Sequence, residues 1–374
     1  MKVLFLEQVD SASGYYRTII PNNELVKHRL CQPMTLSALR NKYGNNHTQF
    51  HKKCEFYFKL ADVMVIQLTS QIETEIFFDY ANYANVPVLI EVDDLVEKTT
   101  EWIDITSCNR PKNVWLDRVK LWSKSDGFIT STQYLADHYS KKFSKPGYVS
   151  MNQLDFDDYR WNVEVETDPA KVVIGFMGSD SHRPDLLTVK SVLTRILEEY
   201  PNVEVNITGL SFNWKHDRVK FITNKKKDKL PGQGDFFELD DYPSYMNFDI
   251  GIIPLVDEDF NRAKSDLKFL EYGRLKIPTV AQKIPTYHTV CDGKTGLLAG
   301  NDKEWYRQLV KLIEKPKRRQ DIGQAAFEYV RDRRNISQHI GKYVSILETA
   351  IRKKGTKKRP GSIEIIKGGR LYGG

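Results

Sequence analysis

Asp249-Ile250-Gly251-Ile252-Ile253-Pro254-Leu255, followed by Phe260-Asn261-Arg262-Ala263-Lys264-Ser265-Asp266-Leu267-Lys268-Phe269-Leu270-Glu271-Tyr272-Gly273, is the densest stretch of this chain. Its first part reads as a buried strand that stops at Pro254. A loop follows, and a helix is expected to start near Ser265, a good N-cap residue. Lys264 stands where the helix dipole already favours anions. Glu271 lies about two turns further along, where a carboxylate can accept two hydrogen bonds from a ribose diol. The plainer alternative is a surface helix with Lys268 and Glu271 ion-paired.

Working outward, short apolar runs rich in β-branched residues alternate with longer amphipathic stretches, the pattern of βαβ units and a parallel sheet. Strands are expected at Val3–Leu6, Asp62–Leu68, Pro87–Val92, Gly127–Thr130 and Tyr148–Ser150 in the first half. In the second half they are expected at Val172–Phe176, Val203–Ile207, Asp249–Ile253 and Thr279–Ala281. The halves match in pattern without a residue-level repeat, and 374 residues also suit two domains. Between them Asp155 to Pro169, acidic and with a proline, suits a linker. Ile336, Ile340, Tyr343, Val344, Leu347 and Ile351 share one helical face, so a helix is expected over about Ile336–Ile351. The fold class is therefore α/β, two Rossmann-like domains with parallel sheets, whose ligands belong at the carboxyl ends of the strands.

Composition narrows the function classes. Hydrophobic residues make up 40% and charged residues 28%, which excludes a wholly disordered or collagen-like chain. No apolar run approaches the ~18 residues of a membrane span, and Glu7 arrives too early for a signal peptide. Cys31, Cys54, Cys108 and Cys291 are too sparse for a disulfide framework. A soluble cytoplasmic protein is expected. The net charge of +7 resides in residues 351–374, which hold eight basic residues and one acid. Elsewhere charge is segregated: 17–59 carry a net +6, 62–104 a net −9 and 110–145 a net +5. Basic runs of this kind attract polyanions or anionic membranes, or else serve only as a solvated tail.

Candidate ligand-binding turns follow two strands. Ser11-Ala12-Ser13-Gly14-Tyr15-Tyr16-Arg17, then Pro21, offers a small Ser/Gly loop whose backbone N–H groups can hold a phosphate, or a plain strand-to-helix turn. Met177-Gly178-Ser179-Asp180-Ser181-His182-Arg183-Pro184-Asp185 repeats that logic with a cation: Gly178 allows close approach and Arg183 can neutralise a diphosphate. His182 reads as a surface histidine on residue type alone.

The C-terminal half resembles the GT-B-fold glycosyltransferases of the large retaining family that includes glycogen synthase-like and polysaccharide-building enzymes (glycosyltransferase family 4-like, a bacterial and phage-type subset). The matching string runs from Asp249 to Pro254, then Phe260-Asn261, Lys264-Ser265, Glu271-Tyr272-Gly273, Ile277-Pro278-Thr279-Val280-Ala281, Gly293-Lys294-Thr295-Gly296-Leu297-Leu298 and Trp305. The N-terminal half fits through the Gly14 loop, Arg17 and the Asp93-Asp94 pair. The resemblance implies an acceptor domain over 1–160 and a nucleotide-sugar donor domain over 161–335, facing across a deep cleft. A helix over 336–352 would return to the first domain, with a basic flexible tail over 353–374.

It further implies that Glu271 holds the nucleotide ribose, that Lys264 and Arg183 bind the diphosphate, and that Asp93 or Asp94 reaches the donor sugar or the acceptor hydroxyl. Asp93, Asp94, Arg183 and Lys264 form the catalytic set. Gly14, Tyr16, Arg17, Gly178, Ser179, His182, Ser265 and Glu271 form the set that binds the nucleotide sugar. Many relatives carry a second glutamate eight positions before Glu271; Ala263 stands there, so the sugar-binding half of that motif is not carried over. In its place stands the Phe-Asn…Lys-Ser variant of a bacterial and phage-type subset.

The implied activity is transfer of a sugar from a nucleotide diphosphate, UDP favoured, to a hydroxyl with retention. No cofactor and no essential metal are expected, because side-chain cations stabilise the leaving diphosphate. The acceptor is read as DNA carrying a hydroxymethylated base, in a host cytoplasm if a phage encodes the chain. Its support is the basic stretches and the aromatics among them, Tyr43, Phe50, Phe56, Tyr57, Trp115 and Trp122. A cell-surface polysaccharide or lipid-linked glycan is the alternative. An epimerase and a non-catalytic nucleic-acid-binding relative are further alternatives.

Other motifs carry less. Asp155-Phe156-Asp157-Asp158 imitates a metal-binding DxD but lies in the expected linker. Cys31, His47, His51 and Cys54 imitate a zinc set, but Cys31 stands far from the others and no CxxC exists. Gly293-Lys294-Thr295 imitates a P-loop end, but His288 stands where its first glycine belongs. Lys225-Lys226-Lys227-Asp228-Lys229 reads as an exposed loop.

Overall fold

The computed structural model describes residues 1–6, 12–30, 32–35, 46–67, 74–98, 119–164, 168–222 and 241–355. The chain divides into two compact units. One comprises Met1–Asp94, Asn113–Gln153 and Ile336–Gly374; the other comprises Leu95–Lys112 and Leu154–Asn335.

The first unit holds a six-stranded sheet in the order β2-β1-β3-β4-β5-β6. Its strands are β1 (Lys2–Leu6), β2 (Gln32–Thr35), β3 (Val63–Gln67), β4 (Val88–Val92), β5 (Gly127–Thr130) and β6 (Gly147–Val149). Every pairing is parallel. Residues such as Val3, Leu4, Phe5, Val65, Leu89 and Phe128 are fully buried, as strands covered on both faces require. The helix Ile336–Lys354 packs on the helix Ile20–Lys27 and on β3, burying Ile340, Tyr343 and Leu347. Lys354 Nζ meets Asp126 at 2.8 Å.

The second unit repeats the architecture in the order β12-β11-β10-β7-β8-β9. These strands are β7 (Val172–Met177), β8 (Val203–Thr208), β9 (Val219–Ile222), β10 (Ile250–Ile253), β11 (Thr279–Gln282) and β12 (Leu297–Ala299). They too are all parallel. Nine of the twelve strands among the described residues stand where the pattern places them, within a residue or two at each end. Two neighbouring strands pair Gly251 with Gly175. A methyl group on Gly251 would come within 2.5 Å of the Tyr272 ring, and one on Gly175 within 2.0 Å of the Phe248 ring. The bare backbone therefore seats both rings, which meet edge to face at 5.3 Å. Tyr272 Oη then accepts the Met177 N–H at 3.1 Å, fixing the helix Leu267–Arg274 against the carboxyl end of β7.

Three local expectations need correction. The stretch after Pro254 is not all loop, because Asp259–Ala263 forms a short helix that ends at Lys264. The next helix starts at Leu267 with Asp266, not Ser265, at its N-cap. Asp266 lies buried in an ion pair with Arg334, which anchors the helix entry. The segment after Asp155 is not a loose linker through its described part. Asp158 pairs with Arg160 at 2.6 Å, and Trp161 is buried edge to face with Tyr242. Among the described residues no helix is long and apolar enough to cross a membrane.

Candidate functional site

In the second unit the carboxyl ends of β7 and β10 carry the candidate site. After β7 the chain turns through Gly178, whose N–H donates to the Thr208 carbonyl at 3.0 Å. A methyl group on Gly178 would lie 3.0 Å from Lys268 Nζ, so the ammonium approaches this backbone closely. It also sits 5.2 Å from the Phe176 ring centroid. Burial, and then Lys264, pull the Lys268 pKa down to about 8 against the attraction of Glu271. Lys264 lies at the end of the short helix with extended backbone, its Nζ 4.5 Å from the Phe260 ring and its carbonyl held by Thr286 Oγ1 at 3.0 Å. Glu271 is buried and accepts the Tyr242 hydroxyl at 3.2 Å. Burial and that carboxylate push the Tyr242 phenol well up.

His182 is not on the surface. It is 7% exposed, with Nδ1 2.8 Å from Asp185 Oδ2 and its ring 5.7 Å from that of Phe176. Burial and Lys268 hold it down to about 4, so it is neutral at physiological pH. Arg183 opens the helix Arg183–Leu187, with its guanidinium on Asp180 at 2.5 Å. Ser179 Oγ lies 2.8 Å from Ser181 Oγ.

In the first unit the carboxyl ends of the strands meet in a buried polar network. Arg17 spends its Nε and one Nη2 bond on Glu91 at 2.8 and 3.2 Å. Its Nη1 group donates to the Ser150 carbonyl at 2.6 Å and to Asn152 Oδ1 at 2.7 Å. Arg17 and Glu91 are 3% and 0% exposed. Ser13 Oγ donates to Asp93 at 2.6 Å and receives Gln67 Nε2 at 3.0 Å. Burial and neighbouring Asp94 raise the Asp93 pKa; Ser13 and Arg17 oppose the rise. The Asp94 carbonyl accepts the Tyr139 hydroxyl at 3.0 Å.

Solved structures share this architecture. Anabaena HepE in complex with UDP-glucose superposes with a TM-score of 0.59 at 15% identity, over 94% of this chain and 100% of that one. A glycosyltransferase from Rickettsia africae gives 0.61 at 13% identity, over 94% and 98%. Sucrose-phosphate synthase from Thermosynechococcus elongatus gives 0.58 at 13% identity, over 93% and 99%. The fold is GT-B. No protein-family model matches the sequence, and no curated protein resembles it closely enough to count as a match.

Within this GT-B chain the expected residues divide into two groups. Gly178, His182, Lys264 and Glu271 come together around Lys268, which sequence reasoning had treated only as an ion-pair partner of Glu271. Arg183 instead lies on Asp180. Ser265 adjoins Lys264 without capping the helix. In the first unit Gly14, Tyr16 and Arg17 stand in a helical run rather than a loop. Gly14 is helical and its carbonyl takes the Thr18 hydroxyl at 2.8 Å. Tyr16 is buried against Tyr15, and four of the five Arg17 N–H groups are committed to protein acceptors. Asp93 and Asp94 do stand at the end of β4.

Sequence reasoning missed Asp185, Tyr242 and Glu91. Glu91 had a signal, a carboxylate inside the otherwise apolar strand Val88-Leu89-Ile90-Glu91-Val92. The imitations dissolve in the fold. Asp292 Oδ1 fills the Lys294 and Thr295 N–H groups at 2.8 and 3.1 Å, so that turn offers no phosphate nest. Cys54 is core and His51 bonds Tyr80 at 2.6 Å, while Cys31 and the His47 side chain lie outside the described residues. Among the described residues no three metal-ligating side chains cluster. Lys225 to Lys229 and the tail beyond Gly355 also lie outside them.

Proposed function

We propose that this chain is a glycosyltransferase that takes a UDP-sugar and passes the sugar to a hydroxyl acceptor with retention. The observation that carries the reading is the grouping of Lys264, Lys268 and Glu271 at the carboxyl ends of β7 and β10. Two ammonium groups beside a close-approach glycine suit a diphosphate, and a buried carboxylate beside them suits a ribose diol. As the sugar–phosphate bond breaks, negative charge grows on the diphosphate, and fixed cations stabilise it without reorganising. The leaving phosphate helps to deprotonate the acceptor. UDP and UDP-glucose are bound by the HepE protein that shares the fold, which supports UDP as the nucleotide.

The fold also bears on the acceptor. Part of the segregated charge pairs between stretches: Arg17 with Glu91, and Lys124 with Glu75 at 2.7 Å. A glycan hydroxyl is therefore favoured over DNA. Incubation with labelled UDP-sugars, with and without glycan or hydroxymethylated DNA, tests the reading. Slow hydrolysis without acceptor and transfer with glycan are expected. Isomerised sugar would show an epimerase, transfer to DNA would restore the nucleic-acid acceptor, and no turnover or binding would refute the enzyme.

A further inference from the structure

Asp185 gathers three donors onto one buried carboxylate. Its Oδ1 accepts the Val256 N–H at 2.8 Å and Asn261 Nδ2 at 2.9 Å, while its Oδ2 faces His182 Nδ1 at 2.8 Å. Asn261 also donates to the Val256 carbonyl at 3.0 Å, so the network ties the turn after β7 to the segment after β10. Asp185 and Asn261 are 4% and 3% exposed.

A carboxylate only accepts, so the proton of neutral His182 lies on Nδ1 and its Nε2 presents a lone pair. Among the described residues nothing bonds Nε2. Lys264 and Lys268 nearby oppose a second proton on the ring. A lone pair cannot receive a phosphate oxygen, which is itself an acceptor; it receives an O–H. On a nucleotide sugar the lysines match the phosphates and Glu271 matches the ribose diol. The hydroxyls left over belong to the transferred sugar.

We propose that His182 is a specificity residue, its Nε2 accepting a hydrogen bond from one hydroxyl of the donor sugar, with Asp185 as the positioning residue that fixes the ring's tautomer. This rests on the UDP-sugar reading above. Nothing in the twin-glutamate pattern anticipates it, since Ala263 leaves that route to the sugar empty.

The test is calorimetric titration of the full chain with UDP, with UDP-glucose, UDP-galactose and UDP-N-acetylglucosamine, and with single-deoxy analogues of the tightest binder. His182→Ala should leave UDP affinity within about twofold and weaken the UDP-sugar roughly tenfold, the scale of one hydrogen bond. One deoxy analogue should bind the parent and His182→Ala alike, closing a double-mutant cycle. Asp185→Asn keeps the oxygen facing Val256 and Asn261 but turns an amide N–H toward His182. The ring must then accept at Nδ1 and carry its proton on Nε2, which reverses the direction of the bond to the hydroxyl, so an affinity change confined to the UDP-sugar, smaller than that of His182→Ala, is expected. Nitrogen-15 NMR of the ring would report the tautomer directly.

Equal weakening of UDP and UDP-sugar by His182→Ala, or a loss coupled to no hydroxyl, overturns the inference. So does an unchanged affinity for both, with the donor reading left intact. A parent protein that binds neither UDP nor any UDP-sugar overturns the donor reading, and this inference with it.

Discussion

At the scale of single residues the donor-side cluster makes distinct demands on its two lysines. Lys264→Ala removes a cation that would stabilise developing charge, and turnover should fall roughly 10²-fold or more. Glu271→Ala should act mainly on nucleotide affinity, because a ribose contact is made equally in ground and transition states. Both are read from initial rates over a range of UDP-sugar. Lys268 has a pKa pulled down to about 8 from an ordinary 10.5, so it loses its charge within an accessible range. The sign follows: between about 8 and 10.5 the unfolded chain holds a proton that the folded chain has released. Stability from this group is thus present above 10.5 and lost as pH falls through 8. UDP binding should show the converse, weakening as pH rises past 8 and taking up a proton when it occurs there. Titrations in buffers of different ionisation enthalpy would measure that uptake, and a flat response would remove Lys268 from the phosphate site.

At the scale of elements, Arg17 clamps the helical run after β1 onto β4 and onto the segment after β6. Arg17→Ala would strand Glu91 in a fully buried position, and breaking one side of such a pair costs about 3–5 kcal/mol. Chemical denaturation should show that loss, with Arg17→Lys retaining part of it. The helix Leu267–Arg274 closes with Lys276 at a φ of 59°, while Ile277 N–H reaches back to the Tyr272 carbonyl at 2.9 Å. A glycine normally takes that left-handed position. Lys276→Gly should therefore stabilise the protein by about 1 kcal/mol, visible as a raised denaturation midpoint.

These elements also show what sequence could and could not convey. Central strands such as Val63–Gln67 and Ile250–Ile253 are covered on both faces, and their apolar runs were plain. The three strands not anticipated are all at sheet edges: Gln32–Thr35, Val219–Ile222 and Leu297–Ala299. Edge strands are short and tolerate a proline such as Pro33 or an exposed lysine such as Lys220, which erases the pattern. Lys264 and Glu271 could be found because a strand-to-helix junction marks them. Asp185 could not, because its three donors come from positions up to 76 residues away. The pairing of Arg17 was equally hidden, because its carboxylate partner lies 74 residues on.

For the whole molecule, charge arithmetic sets the expected behaviour toward polyanions. The basic and acidic stretches partly neutralise one another in the fold, and the surplus of +7 belongs to residues 351–374. Any affinity for duplex DNA should be weak, fall steeply with salt, and disappear when residues 355–374 are deleted. Hydrolysis of UDP-sugar should survive that deletion, since no donor-side residue lies there. Gel-shift titrations from about 50 to 200 mM salt would check this; tight binding that persists in the deleted chain would return attention to 17–59 and 110–145.

The assignment of Ile336–Lys354 to the first unit has a consequence during synthesis. β1 to β6 are complete once about 150 residues have been made, yet the helix that covers Ile20–Lys27 and β3 is encoded nearly two hundred codons later. The second unit lies almost wholly between those two points. As the ribosome moves on, the second unit can close around its own core while the first still waits with an apolar face open to solvent, the state in which nascent chains are most prone to stick or to need a chaperone. A pulse-proteolysis experiment on stalled nascent chains should find Leu154–Asn335 protected before Met1–Gln153, so that the half of the molecule translated first is the half that matures last.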